Sequence, residues 1–582
     1  MTFSATVLVL AALFACHDTA VAATATYTSV WAGGTIDLGD TAIINDGASI
    51  TGNVVANGTL QFNQTSALTM SNTISGTGAV ALTNTGTLTL TGLSSGTGSF
   101  DMAIRVSNGQ FNIGTSGTNP LIVGNSGTGT LEVTGGQFTN RTGYLGYSAG
   151  SVGRATVSGG TWSNSTRFLY VGYGGSGTLD VAGGSVTNSS GVIGTIAGGV
   201  GAVTVSSGTW TNGGTLYVGG SVTATGGTGT LTVTGGRVTS VTSNIGFSVD
   251  SSGTMTVTGG TWSNSSSVFV GRSGTGTLTI SGSNGTGGVV IVGGTLTTGS
   301  FGTLNLNAGG TLQIGTGTTT GVLNTDLVNN GGLVFNRIGT GTVSKSISGS
   351  GSLTVLGTGT LIFSGTSSYS GDTAVDAGSL LVAGALGNTA VSVNAGGLLG
   401  GSGAIGGAVA VARGGTLSPG AGIASLATGS VTLLDGSTFT YDLNSSASPA
   451  VGADLLLASG DLALSGTVGL TLTDLAVSRA AFADNTTFSL IAYTGSWNSG
   501  LFSYGGASLA DGGMFSVGSQ AWMIDYDASS GGVNFSGEYV PNSSFVNIVA
   551  VPEPTSWALL AAGLGCGSYF WRRRRRQASS AR

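Results

Sequence analysis

Histidine, cysteine and lysine are almost missing from this 582-residue chain, which has one His, two Cys and a single lysine, Lys345. His17 and Cys16 lie near the N-terminus and Cys566 near the C-terminus, so residues 18–565 contain neither residue type. That stretch cannot form a disulfide, a thiolate or imidazole zinc site, a cysteine nucleophile or a Ser-His-Asp triad. Residues 1–550 carry ten basic residues against twenty-one acidic ones, a balance of −11 that gives nucleic acid no electrostatic footing. Proline is scarce at six, and charged residues make up only 7%. A disordered chain would need more charge. What is abundant is glycine, at 110 residues, set among alternating Thr, Ser, Val and Leu. That pattern describes short strands joined by tight turns.

A fixed period runs from about residue 120 to 285. Gly129-Thr130-Leu131-Glu132-Val133-Thr134-Gly135-Gly136 returns as residues 177–184, 229–236 and 253–260. Two places after each glycine pair stand Phe138, Trp162, Val186, Trp210, Val238 and Trp262, at spacings of 24, 24, 24, 28 and 24. The longer step holds an insertion at 220–227. Units of this length cannot bury a core alone but can stack, and 24 residues suit one coil of a parallel β-helix better than a propeller blade or a helical repeat. Pairs such as Leu131/Val133, Leu179/Val181 and Met255/Val257 are two apart and point inward, with polar residues facing out between them.

A second repeat flanks this block. Residues 57–92 align without a gap on 330–365 and share 16 of 36 positions, among them Phe62/Phe335, Asn63/Asn336, Ile74/Ile347 and Leu88/Leu361. With Gly359 to Gly365, Tyr369-Ser370-Gly371 and Gly378 to Val382, these segments resemble the passenger-associated repeats of autotransporters. The 24-residue units resemble a repeat that autotransporters share with PEP-CTERM proteins. No series of amphipathic strands of about ten residues follows, so the autotransporter's membrane barrel is not part of the resemblance.

The two ends read as export signals. Ala5 to Ala15 is an apolar core too short to span a membrane, and Ala20-Val21-Ala22 is an A-x-A site for signal peptidase, with cleavage before Ala23. No Lys or Arg precedes this core, which leaves room for a start upstream of Met1. Leu13-Phe14-Ala15-Cys16 is a poorer match to a lipoprotein box, because Phe14 is bulky. At the other end Val551-Pro552-Glu553-Pro554 leads into 17 apolar residues, 555–571, and then into Arg572, Arg573, Arg574, Arg575 and Arg576. As a helix the apolar segment spans roughly 25 Å, slightly less than a hydrocarbon core of about 30 Å. The arginines stop transfer and stay in the cytoplasm. The pattern resembles the PEP-CTERM sorting signal, which implies recognition by an exosortase and a cut near Pro-Glu-Pro, followed by residence at the cell surface or in the extracellular matrix.

The resulting expectation is an all-β, extended parallel β-helix with a C-terminal β-rich cap and a single C-terminal transmembrane helix. Its divisions are a signal peptide (1–22), solenoid (23–429), final rungs, cap and tether (430–550, the tether being 541–549) and sorting signal (551–582). Trp162, Trp210 and Trp262 stand in one column. They either line a sugar-binding face or, since Phe138, Val186 and Val238 share the column, fill the core. Asn140, Asn164, Asn188, Asn212 and Asn264 recur two residues further on and suggest a hydrogen-bonding ladder at a turn; several also read as glycosylation sequons. Carboxylates are sparse: Glu132, Asp180 and Asp250 are the only ones between 120 and 300, and they do not cluster. Asp525 and Asp527 would share one strand face. Glycoside cleavage needs two facing carboxylates, and lyase chemistry needs acidic metal ligands with a base, so the expectation is a non-enzymatic surface or matrix protein without metal or cofactor. Exopolysaccharide is the expected partner outside the cell. The alternative is a carbohydrate-binding or carbohydrate-active β-helix.

Overall fold

The computed structural model describes residues 23–90, 98–100, 103–113, 120–283, 286–420, 422–446, 452–476, 481–535 and 542–552. These form a three-faced parallel β-solenoid, and no helix occurs among them. One face is seen in the coil of residues 128–145. Thr128–Val133 pairs in parallel with Ala103–Val106 before it and Val152–Val157 after it. Gln137–Asn140 lies between Gln110–Ile113 and Thr161–Val171 on the second face. Gly143–Leu145 lies between Leu121–Val123 and Thr161–Val171 on the third.

The register follows the sequence period residue by residue. Leu131 stands under Ala155, then Leu179, Val203, Leu231, Met255 and Leu278. Each is at most 1% exposed, and the alternation of inward apolar with outward polar residues makes a one-residue slip prohibitive. The corner after the third face is set by a glycine column, Gly146, Gly172, Gly194, Gly219, Gly246 and Gly271, with φ between 67° and 79°. Two constraints select glycine there. The left-handed conformation disfavours a side chain, and a Cβ on Gly172 would lie 2.2 Å from the carbonyl oxygen of Val200 in the next coil.

The main apolar core runs from Ile36 to Ala550, and Leu455, Leu457, Ala492 and Phe545 form a second, small cluster. The related segments 57–92 and 330–365 hold matching positions in the main core: Phe62 and Phe335, and Ile74 and Ile347, are all buried. After residue 430 the stacking continues, with Val431–Leu433 parallel to Leu462–Leu464 and Thr438–Leu443 parallel to Val468–Asp474. The last coil then changes hand of pairing. Thr487–Tyr493 is parallel to Leu455–Ala458 on one side and antiparallel to Ser544–Val551 on the other. The sheet ends with Gln520–Ala528 and Met514–Val517, also antiparallel. This hairpin covers the edge that a parallel stack would otherwise present to another chain.

Candidate functional site

The sorting motif emerges directly from this terminal sheet. Residues 541–549, expected to be a tether, instead supply most of the central strand Ser544–Val551, flanked on both sides by partners. The reason is a run buried on both faces, with Phe545, Val546, Ile548 and Ala550 all buried, in a segment of β-branched and aromatic character. The strand is also pinned by polar contacts. Ser489 donates its hydroxyl to Asn547 Oδ1 at 2.8 Å, and Asn547 Nδ2 donates to the carbonyl of Ser530 at 2.9 Å. The Ala550 N–H donates to the Thr486 carbonyl, and Ala550 in turn accepts from the Asn485 N–H. Val551, the first residue of the motif, is the last residue of the strand and pairs with Ala521. Pro552 follows, and having no N–H it cannot extend the ladder. Glu553, Pro554, the 555–571 segment and Arg572 to Arg576 lie outside the described residues, as do Ala20 and Ala22. Among the described residues no helix is long and apolar enough to cross a membrane.

Beneath the closing strand sits a buried polar cluster. Asp454 is fully buried; its Oδ1 accepts the N–H of Ala424 at 2.8 Å and its Oδ2 that of Asp442 at 2.9 Å. Burial nevertheless pushes its carboxyl up to about 7. The Tyr441 hydroxyl donates to the Ser489 carbonyl at 3.0 Å, and Asn534 Nδ2 reaches Tyr441 Oη and the Asp454 carbonyl. These groups tie the final coils to the cap.

Trp162, Trp210 and Trp262 are 0% exposed, so none presents a ring to a sugar. They alternate with Val186, Val238 and Val290, and at the start of the column Phe111, Phe138 and Trp162 follow one another on successive coils. Each indole also needs room sideways. A Cβ at Gly191 would come within 2.7 Å of the Trp210 ring, and Gly143 is similarly placed under Trp162. The asparagine ladder lies inside the core: Asn140 donates to Asn164 at 2.8 Å and Asn188 to Asn212 at 2.6 Å. Burial also takes these side chains out of reach of glycosylation.

Asp525 and Asp527 do not act as a pair. Ladder register shifts between Asp525 and Ala528, Asp527 has φ 54°, and its carboxylate accepts the Tyr493 hydroxyl. Burial, with Asp511 nearby, raises the Asp525 carboxyl. Glu132 forms an exposed ion pair with Arg105.

Sequence reasoning missed an aromatic face. Tyr144 stacks on Tyr170 at 4.7 Å and Tyr147 on Tyr173 at 5.2 Å, with edge contacts between the two columns. Further along the same face, Phe247 meets Tyr217 edge-on and Arg272 lies over both Phe247 and Phe269. The available signal was the pattern aromatic-aliphatic-Gly in Tyr144-Leu145-Gly146-Tyr147, which returns with substitutions as Tyr170-Val171-Gly172-Tyr173 and as Phe269-Val270-Gly271-Arg272.

Comparison with known families bears on two solenoid segments and on the C-terminal motif. Residues 272–297 and 353–382 match the passenger-associated-transport-repeat, and the second match spans strands Thr360–Phe363 and Gly378–Val382 around the buried Tyr369. No curated protein matches the chain. Residues 550–575 match the PEP-CTERM protein-sorting motif, which starts inside the closing strand. The chain is thus similar to passenger repeats through its solenoid, and its sorting motif implies an exported protein, made as a membrane-anchored precursor, processed by an exosortase and associated with the cell surface.

Proposed function

We propose that this protein is a non-enzymatic rod of the cell surface or exopolysaccharide matrix, a spacer or adhesion component set in place by exosortase sorting. The observation that carries the reading is the direct junction of sorting motif and folded body: Val551 belongs to both. Processing beyond this strand leaves a closed cap and a stack of coils that expose mainly Thr, Ser and Asn edges, which suit weak, repeated contacts along a polymer. Asp454 accepts two backbone N–H groups, Asp527 accepts the Tyr493 hydroxyl, and Asp511, the carboxylate beside Asp525, accepts the Tyr526 N–H; these engagements support a structural role for the carboxylates.

The test is made in cells and on purified protein. Glu553→Ala should accumulate as an uncut inner-membrane form, whereas the parent protein reaches the surface and loses its tail. A surface peptide running intact from Glu553 into Trp557 would defeat sorting by cleavage. Release of oligosaccharides from the host's exopolysaccharide by the purified protein, abolished in Asp525→Asn, would replace the structural role with an enzymatic one.

A further inference from the structure

The 28-residue step from Trp210 to Val238 builds a distinct feature at the corner after the third face. Residues 220–227 leave the corner as a short loop closed by the antiparallel bridge Ser221–Ala224 and held by a hydrogen bond from the Gly226 N–H to the Val249 carbonyl. Between this loop and the next two corners lies an open concavity of about 690 Å³. Its lining is rich in hydroxyls, from Ser221, Thr223, Thr225, Ser248 and Ser273, and it includes Phe247 and Arg272. The Ser248 hydroxyl is buried and has no hydrogen-bond partner.

Arg272 is the charged group of this site. Its guanidinium carbon lies 5.2 Å from the Phe247 ring centre and 5.5 Å from that of Phe269. Tyr217 in turn buttresses Phe247 at 5.3 Å. Stacking on aromatic faces restrains the side chain while leaving its N–H edges free for a carboxylate. Asp250 stands two residues from Ser248, yet Arg272 makes no ion pair; the two ion pairs among the described residues are elsewhere.

We propose that this concavity binds an acidic glycan, with Arg272 taking the carboxylate of a uronate residue and the surrounding hydroxyls, Ser248 among them, taking the hydroxyls of the sugar. A single guanidinium matches a single carboxylate per residue. The balance of −11 over residues 1–550 disfavours every polyanion at long range, so the hydroxyl wall makes the selection: a polyphosphate has no hydroxyls for it to meet, and a uronate glycan does. The loop supplies the hydroxyl wall that the regular coils lack at this corner. The proposal deepens the matrix reading by naming a ligand class, and it relies on that reading only for outward presentation.

Binding is measured with the full chain purified in detergent, by calorimetric titration with polygalacturonate and alginate oligosaccharides, and with neutral dextran and poly-glutamate as comparisons. The acidic glycans should bind, more weakly as salt rises, and dextran should not. Arg272→Gln should weaken binding by about tenfold or more, as loss of a charge-assisted pair requires, and Thr223→Ala should weaken it by a smaller factor. Arg272→Lys should retain part of the affinity, which separates loss of charge from loss of folding, and all three variants should keep the parent's unfolding temperature. Equal binding of dextran or poly-glutamate, no glycan binding at all, or undiminished binding by Arg272→Gln overturns the proposal. A protein that is sorted normally but ignores acidic glycans removes this inference alone. One that binds them but is never processed removes the sorting reading alone.

Discussion

The indole nitrogen of Trp162 donates to Oδ1 of Asn140, one coil earlier, at 2.6 Å, and Trp210 repeats the arrangement with Asn188 at 2.7 Å. Trp262 has Ser240 in the equivalent place, at 3.1 Å, and Ser240 passes the bond on to Asn264. The polar column, asparagine under Trp162 and Trp210 and serine under Trp262, therefore accepts from the indole N–H of all three rings, and each indole supplies a donor to a buried oxygen. Neither column is stable in the interior without the other.

Truncating one of these rings should be costly. Trp162→Ala removes a fully buried side chain and should destabilise by about 3–5 kcal/mol. Trp162→Phe keeps most of the volume but strands the Asn140 acceptor, for about 1–3 kcal/mol. Hydrogen exchange should show loss of protection concentrated in the coils that include Phe138 and Val186, because neighbouring coils open together. Protection lost only at Trp162 itself would argue against a cooperative column.

The closing strand should be indispensable to the cap, and the sequence beyond it should not be. A chain ending at Pro552 should unfold at the same temperature as the full chain. One ending at Ser543 loses four buried apolar side chains, each worth about 1.5–3 kcal/mol except the smaller Ala550, and should expose the edge of Thr487–Tyr493. Limited proteolysis should then cut within 480–535 while sparing the solenoid. Equal resistance in both truncations would mean that the strand is an accessory.

Asp454 should make the cap sensitive to pH near neutrality. Its folded value of about 7 lies above the ordinary carboxyl value, so the folded state holds the proton more tightly than the unfolded state does. The corresponding stability is fully present below about pH 4 and is lost as pH rises through about 7, by a few kcal/mol at most. Asp442 and Asp525 shift in the same direction through burial and add to the slope. Asp454→Asn, which stays neutral, should therefore flatten the fall in cap stability between pH 4 and 7 when denaturant midpoints are compared. A slope unchanged from the parent would place the proton uptake elsewhere.

Scattering from the protein should describe a rod. Parallel coils repeat at about 4.8 Å, so the stack should measure roughly 80–100 Å along its axis. A pair-distance distribution with a single symmetric peak, as for a sphere, would remove the extended solenoid.

Much of this molecule is determined locally. Where the repeat is strict, each residue of a coil has an equivalent neighbour above and below, and spacing alone assigns Leu131 and Val133 to the interior. The exclusion of His and Cys chemistry likewise depends only on composition, and the sorting motif is linear. Tertiary structure decided the remainder, where side chains from different coils share space. Whether a tryptophan column faces sugar or core depends on which side of the strand it leaves, and only the bond from Trp162 to Asn140 and the absence of a side chain at Gly143 settle that it lies inside. The strand Ser544–Val551 read as a tether because its partners, Thr487–Tyr493 and Gln520–Ala528, are some 20 to 60 residues away and carry no repeat to announce the pairing. The concavity at Arg272 was hidden for the same reason: an insertion in one coil, an aromatic ring in the next and a guanidinium in the third become one surface only when the coils are stacked.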